Sequence, residues 1–224
     1  MAAKKRIRKH DLKEDRFVTA TFQLTTYVRE RQNTFLAILA AVVVVAIVVA
    51  VVVSGRSRTQ EEVGGLLAEA NGFFQMGNYH EAINRCQSVL DQFGNTREAS
   101  MAAFFLADSH FRLGEYQNAI ENYHLYVDKY NSDPLLIASS LNGIAACHEQ
   151  LDQFPEAGDY YLRAANDYPD LFSAPESLLN AGRCFTLSDN NEKAELAYRS
   201  IIDNYPSSRY LNDAKVALSE LGGR

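Results

Sequence analysis

At 224 residues, with 47% hydrophobic and 22% charged side chains and only five prolines, the chain has the makeup of one or two folded domains. Its net charge of −6 divides unevenly: residues 1–58 hold eleven Lys/Arg against four Asp/Glu, and residues 59–224 hold eleven against twenty-four. The acidic body has no basic face to neutralise phosphates, so it is a poor nucleic-acid binder, and three cysteines (Cys86, Cys147, Cys184) are too few and too odd for a disulfide framework.

The chain opens on a basic head, residues 1–34. Within 11–33, Phe17, Thr21, Leu24 and Val28 fall on one helical stripe with Val18 and Phe22 beside it. That pattern fits an amphipathic helix lying on an anionic leaflet, and equally a basic tail that carries no structure of its own.

From Phe35 to Val53 the chain runs nineteen apolar residues without a charge. At about 1.5 Å per residue the run matches the hydrocarbon layer, and it exceeds a signal-peptide core. No small-residue cleavage site and no lipid-modifiable cysteine follows it. The expectation is an uncleaved transmembrane helix at 35–53 whose partner is the lipid bilayer. Nine Lys/Arg precede the run, and only Arg56 and Arg58 follow it closely. The positive-inside rule then places the N-terminus in the cytoplasm and residues 54–224 outside, in the periplasm of a bacterial inner membrane. Residues 54–62 form a short linker, or a helix continuing from the span.

Beyond the linker the sequence repeats. GNYHEAINRCQSVLDQFG from Gly77, GEYQNAIENYHLYVDKYN from Gly114, DQFPEAGDYYLRAANDYP from Asp152 and DNNEKAELAYRSIIDNYP from Asp189 align without gaps, at spacings of 37, 38 and 37 residues. Each follows an amphipathic stretch of about fourteen residues. The unit is therefore helix A, a tight turn and helix B, with units at about 63–96, 100–134, 138–170 and 175–206. Gly77 and Gly114 sit where helix A must end in a left-handed residue. Asp152 and Asp189 take that place in the later units, which leaves those turns less strongly marked. Tyr79, Tyr116 and Phe154 supply an aromatic at the start of helix B, replaced by Asn191 in the fourth unit. Ala82, Ala119, Ala157 and Ala194 recur where a small side chain lets two helices approach closely. Cys86, Tyr123, Tyr161 and Tyr198 share one core place. Residues 207–221 read as a capping helix over the last unit.

The G-x-Y-x-x-A core, the small residues Ala70, Ala107, Ala145 and Gly182 in helix A, and the terminal Pro169 and Pro206 resemble the tetratricopeptide repeat over residues 63–206. The resemblance implies an all-α fold: a right-handed solenoid of about four helix-turn-helix repeats with a C-terminal capping helix, here preceded by the expected transmembrane helix. Among such proteins the chain looks most like bacterial envelope members: the ancillary subunit of the Sec translocon, the Tol–Pal-associated cell-division coordinator and the barrel-assembly lipoprotein. It implies a groove lined by helix A at Asn71, Phe74, Gln75, Met101, Phe104, Asp108, Phe111, Arg112, Asn142, Glu149 and Arg183. The phenylalanines would be apolar anchors, and Asn71, Asn142 and Arg112 would be donors to a peptide backbone. Clamping of a C-terminal carboxylate is poorly served, because Asp108 and Glu149 oppose it.

Enzymatic constellations are missing from the sequence. His110 and His148 occupy equivalent places in helix A and read as packing residues; His80 and His124 read as surface residues. Cys147-His148 with Cys184 lacks the paired spacing of a zinc site, and the simplest role of the three cysteines is to fill small core places, with a Cys147–Cys184 bridge left open. No phosphate loop, H-E-x-x-H or nucleophile elbow occurs. The reading is a non-enzymatic scaffold without cofactor or evident small-molecule substrate. It binds other proteins of the envelope, as a chaperone-like adaptor for unfolded or partner proteins near the membrane, at the Sec translocon whose ancillary subunit the expected topology fits best, or as an accessory subunit of a larger membrane complex.

Overall fold

The computed structural model describes residues 18–22, 31–131 and 133–223, with the backbone alone at positions 32, 35, 53 and 55–58. It divides into two compact units, Met1–Gln60 and Glu61–Arg224. In the first, residues 18–22 form a helical turn and the long helix α1, Gln32–Gln75, begins. The rest of the amphipathic helix expected at 11–33 lies outside the described residues, as do the basic positions ahead of residue 18.

Among the described residues no helix is long and apolar enough to cross a membrane. This overturns the transmembrane helix expected at 35–53, the bilayer as a partner, and the single-pass inner-membrane location with a periplasmic repeat domain. The positive-inside argument for orientation loses its premise with it, as does the topology that favoured a place beside a translocon. The described apolar side chains of that run are exposed. They belong to helix α1, Gln32–Gln75, whose bounds include the stretch 54–62.

In the second unit, helices pair in sequence. The last turns of α1 pack on α2, Tyr79–Phe93, around Val63, Ala70, Cys86 and Val89. Helix α3, Arg97–Arg112, pairs with α4, Tyr116–Leu125, which runs on into a π-helical turn at Tyr126–Tyr130. Helix α5, Pro134–Gln150, pairs with α6, Phe154–Asp167, and α7, Ala174–Leu187, with α8, Asn191–Asn204. Helix α9, Leu211–Gly222, closes the series against α8. The result is an all-α helical-repeat solenoid of four hairpins and a final helix.

The four turns between paired helices are built alike. In the first, the Gly77 amide donates to the Phe74 carbonyl (3.0 Å) and the Asn78 amide to the Phe73 carbonyl (2.9 Å). The same two bonds recur around Gly114, Asp152 and Asp189, closing what would otherwise be orphan carbonyls at the helix end. The geometry needs a left-handed residue at the third place. Gly77 and Gly114 supply it at φ +77° and +76°, and Asp152 and Asp189 at +56° and +58°. Aspartate tolerates that region better than most residues with a Cβ, so the last two turns keep the conformation that their sequence marks less plainly.

The hairpins close around small residues. Ala82, Ala119, Ala157 and Ala194 are fully buried, as are Ala70, Ala107 and Ala145. At the place of those last three in the fourth repeat, Gly182 lies under the Tyr198 ring with no room for a Cβ. Gly143 lies equally close under Tyr123, and a Cβ on Gly158 would come within 2.6 Å of Phe185. Side chains from one hairpin complete the core of the next. Tyr161 and Ala165 of α6 share a cluster with Leu178 and Phe185 of α7, and the same cluster reaches Ala214 of α9.

A Cβ on Gly114 would meet nothing nearer than 3.9 Å, so Gly114→Ala isolates the backbone cost. It should lower stability by about 1–2 kcal/mol in urea unfolding. Asp152→Gly trades relieved strain against chain entropy and should be neutral or stabilising by at most about 1 kcal/mol. A loss from Asp152→Gly as large as that from Gly114→Ala would refute this account of the turn.

Candidate functional site

Consecutive A helices face one another directly. Helix α3 contacts α5, and α5 is tied to α7 by side chains. The sequence-predicted residues all lie on these helices, and their surroundings differ along the stack.

The tyrosine nine residues after each left-handed residue explains much of that difference. It is buried under the A helices in repeats two to four, and burial of a phenol requires a partner for its hydroxyl. Tyr123 donates to Asp108 Oδ1 at 2.9 Å, Tyr161 donates to Glu149 Oε2 at 3.1 Å, and the Tyr198 hydroxyl meets Thr186 Oγ1 at 3.4 Å. Burial first, then the neighbouring carboxylate, pushes the Tyr123 and Tyr161 phenols well above their ordinary range, so both remain donors. In repeat one the place is taken by Cys86, which asks nothing of helix A.

Glu149 carries a second bond, from the Arg183 guanidinium at 2.7 Å. Arg183 is half-exposed, so this pair contributes on the order of 1 kcal/mol or less to stability; its effect is to fix both side chains. The Glu149 bond also raises the Arg183 pKa above its ordinary value. Asn142 Oδ1 accepts from Ser177 Oγ at 2.8 Å. Asn142, Glu149 and Arg183 are thus drawn into the ties between repeats three and four.

The aromatic residues are half-buried and packed ring against ring, edge-on except in the tilted Phe74–Phe105 pair. Phe104 stands among Tyr123 (6.1 Å between centroids), Tyr126 (6.0 Å) and Phe105 (6.4 Å). Phe74 meets Tyr79 at 5.6 Å and Phe105 at 5.7 Å, and Phe111 meets Tyr116 at 5.7 Å. Met101 is half-buried on the same helix. In contrast, Asn71, Gln75 and Arg112 are exposed and make no side-chain hydrogen bond among the described residues. The polar sequence-predicted residues therefore separate into an internally bonded set, Asp108, Asn142, Glu149 and Arg183 in repeats two to four, and an open set, Asn71, Gln75 and Arg112 in repeats one and two.

The histidines join the structure of the turns. His110 Nδ1 lies 2.6 Å from Glu115 Oε2 and His148 Nδ1 lies 2.7 Å from Gln153 Oε1, each bridging a helix end to the start of the next. The bond to His110 draws the Glu115 carboxyl below its ordinary value. His124, expected at the surface, is half-buried. Its Nε2 lies 3.2 Å from the Tyr160 hydroxyl, and the Tyr160 ring stacks on His148 at 5.4 Å. Only the pairing of helices shows this cluster, because its members are 24 and 12 residues apart. Among the described residues no group of three or more His, Cys, Asp or Glu could hold a metal ion.

The tetratricopeptide repeat family matches residues 67–134 and, separately, 176–208. Over those two stretches the chain carries tetratricopeptide repeats, and the third hairpin, between the two matches, folds in the same way. No curated protein matches the chain in sequence. Several solved structures are similar in fold. The apo form of RapI aligns with a TM-score of 0.58 at 18% identity, over 70% of this chain and 46% of that one. A tetratricopeptide repeat protein from Parabacteroides merdae ATCC 43184 aligns with a TM-score of 0.61 at 16% identity, over 73% and 61%. BtubC (BKLC) from P. vanneervenii aligns with a TM-score of 0.51 at 18% identity, over 68% of each chain. The chain therefore spans less than two thirds of the first two proteins.

Cys86, Cys147 and Cys184 are free, fully buried thiols, each pushed up to about 12 by burial. The thiolate is the reactive form, so the folded chain should take up no iodoacetamide at these sites at pH 8 and should react at all three in urea. Rapid labelling of any of them without denaturant would contradict the packing described.

Proposed function

We propose that the chain is a protein-binding scaffold, an adaptor of chaperone-like type, that holds an extended segment of a partner on the A-helix face of its first two repeats. Tetratricopeptide repeats point to protein partners in general. The observation that carries the finer reading is the uneven use of that face. At repeats three and four, Asn142, Glu149 and Arg183 are engaged with neighbouring side chains. At repeats one and two, Asn71, Gln75 and Arg112 stand exposed beside half-buried Phe74 and Phe111.

That combination suits an extended chain. Exposed amide and guanidinium groups can hydrogen-bond a strand-like backbone, whose own donors and acceptors are unpaired. Aromatic side chains already fixed by edge-on neighbours lose little freedom when a partner's apolar residue covers them. Binding energy then concentrates at the aromatics, with the polar groups setting register.

Phe111→Ala should leave the circular dichroism spectrum unchanged and weaken partner binding by about tenfold or more, as truncation of a central anchor does. Gln117→Ala, on the exposed start of α4, is the matched control. Photo-crosslinking from position 112 identifies the partner to be measured. Equal binding by both variants would move the contact off the A-helix face and favour an accessory subunit held through other surfaces.

A further inference from the structure

Among the described residues the most exposed large apolar side chain is Phe172, at 81%. It stands on the third inter-repeat loop, between α6 and α7, and the loop does not need its ring. Twenty residues after the left-handed turn residues stand Arg97, Pro134, Phe172 and Arg209, all exposed. The third and fourth loops are built from the same backbone bonds. The Leu171 amide donates to the Tyr168 carbonyl and the Ala174 amide to the Leu171 carbonyl, as Ser208 does to Tyr205 and Leu211 to Ser208. One loop thus holds a phenylalanine where its counterpart, folded alike, holds an arginine. Two positions earlier, Asn95, Ser132, Asp170 and Ser207 share one place in the sequence, and only the third carries a charge.

A single exposed apolar residue would call for no explanation, but this ring has apolar company. Phe172 lines a hollow of about 680 Å³ between the third and fourth loops, whose other apolar walls are Pro169, Pro175, Tyr205 and Tyr210. The two loops are tied to each other. The Tyr205 hydroxyl donates to the Pro169 carbonyl at 2.9 Å, the bond that Tyr130 makes to the Gly94 carbonyl (2.8 Å) between the first two loops. A partner would meet walls that are already ordered, which lowers the cost of binding.

The charges around the hollow are unevenly committed. Its one cation, Arg209, lies over the Tyr210 ring at 4.6 Å and bonds the Tyr210 hydroxyl, with the Glu176 carboxylate 3.8 Å away. Asp170 has neither an ion pair nor a hydrogen bond from its side chain among the described residues. The free charge at the hollow is therefore negative and stands two residues from the exposed ring. The surrounding domain has the same sign, with twenty-four Asp and Glu against eleven Lys and Arg, and so attracts basic segments from a distance.

We propose that this hollow docks an extended segment of a partner protein in which an apolar side chain stands beside a lysine or arginine. The apolar side chain covers Phe172, and the basic one pairs with Asp170. The surface lies on the loops of repeats three and four, whereas the A-helix face proposed above lies on α1 and α3, so the two readings stand or fall separately. A chain with both surfaces joins two proteins.

The test uses the full chain and three fluorescein-labelled, end-capped peptides read by fluorescence anisotropy: alternating Phe and Lys, alternating Phe and Glu, and alternating Ser and Lys. The Phe/Lys peptide should bind saturably and about tenfold tighter than either control, or better. Phe172→Arg, the residue type of the first and fourth loops, should weaken that binding by about tenfold or more and leave the melting temperature unchanged. Asp170→Asn should weaken it by about three- to fivefold, as loss of an exposed charge pair does. Leu196→Ser, at another exposed apolar side chain of the fourth repeat, should leave binding unchanged. The proposal is overturned if the Phe/Lys peptide binds no tighter than its controls, or if Leu196→Ser weakens binding as much as Phe172→Arg. It is equally overturned if Phe172→Arg binds as tightly as the unaltered chain or melts several degrees lower. A dimer in light scattering that Phe172→Arg converts to monomer would give the hollow to a second copy of the chain and overturn it too.

Discussion

How closely helix B can approach helix A governs this repeat domain, and the answer is set by positions that have no space for a side chain. Ala82, Ala119, Ala157 and Ala194 are fully buried, and Gly143 and Gly182 lie directly beneath tyrosine rings. A larger residue at any of these would push rings into backbone, and well-packed interiors have little capacity to absorb that. Close approach in turn requires the chain to reverse within three residues. The left-handed residue at Gly77, Gly114, Asp152 and Asp189 makes this reversal while satisfying the carbonyls it leaves behind.

From that constraint the chemistry of the exposed face follows. A ring that fills the interhelical space brings a hydroxyl with it, and the hydroxyl must be paired. Asp108, Glu149 and Thr186 answer Tyr123, Tyr161 and Tyr198. Once Glu149 is fixed it holds Arg183, and the third and fourth repeats are joined by polar contacts on the face a partner would use. Repeat one has Cys86 in place of the tyrosine, so Asn71 and Phe74 have no such duty. The rule thus commits one polar group of the A helix in each of repeats two to four, Asp108, Glu149 and Thr186, and none in repeat one.

These relations also explain what could be read from the sequence. Repeat spacing, the A and B helices, the glycine turns and the buried alanines were legible because each depends on contacts within one unit, and four copies of the unit reinforce the pattern. The aspartates at Asp152 and Asp189 were legible as replacements for glycine but not as left-handed residues, since aspartate also serves many other turns. Glu149 and Arg183 could be placed on the face, yet their mutual bond joins residues 34 apart, and no single repeat contains it. The same holds for His124 with Tyr160. The apolar run at 35–53 misled for a related reason. A window of composition carries no information about the element that contains it, and here the element is the 44-residue helix Gln32–Gln75, whose residues beyond the run include Arg56, Arg58, Glu61, Glu62 and Glu69.

The A-helix face of repeats one and two is available because Asn71, Gln75 and Arg112 are not needed internally, and exposed amides lose water to a partner at little net cost. It sits in a domain with a large acidic excess, so long-range attraction favours partner segments that are basic or uncharged.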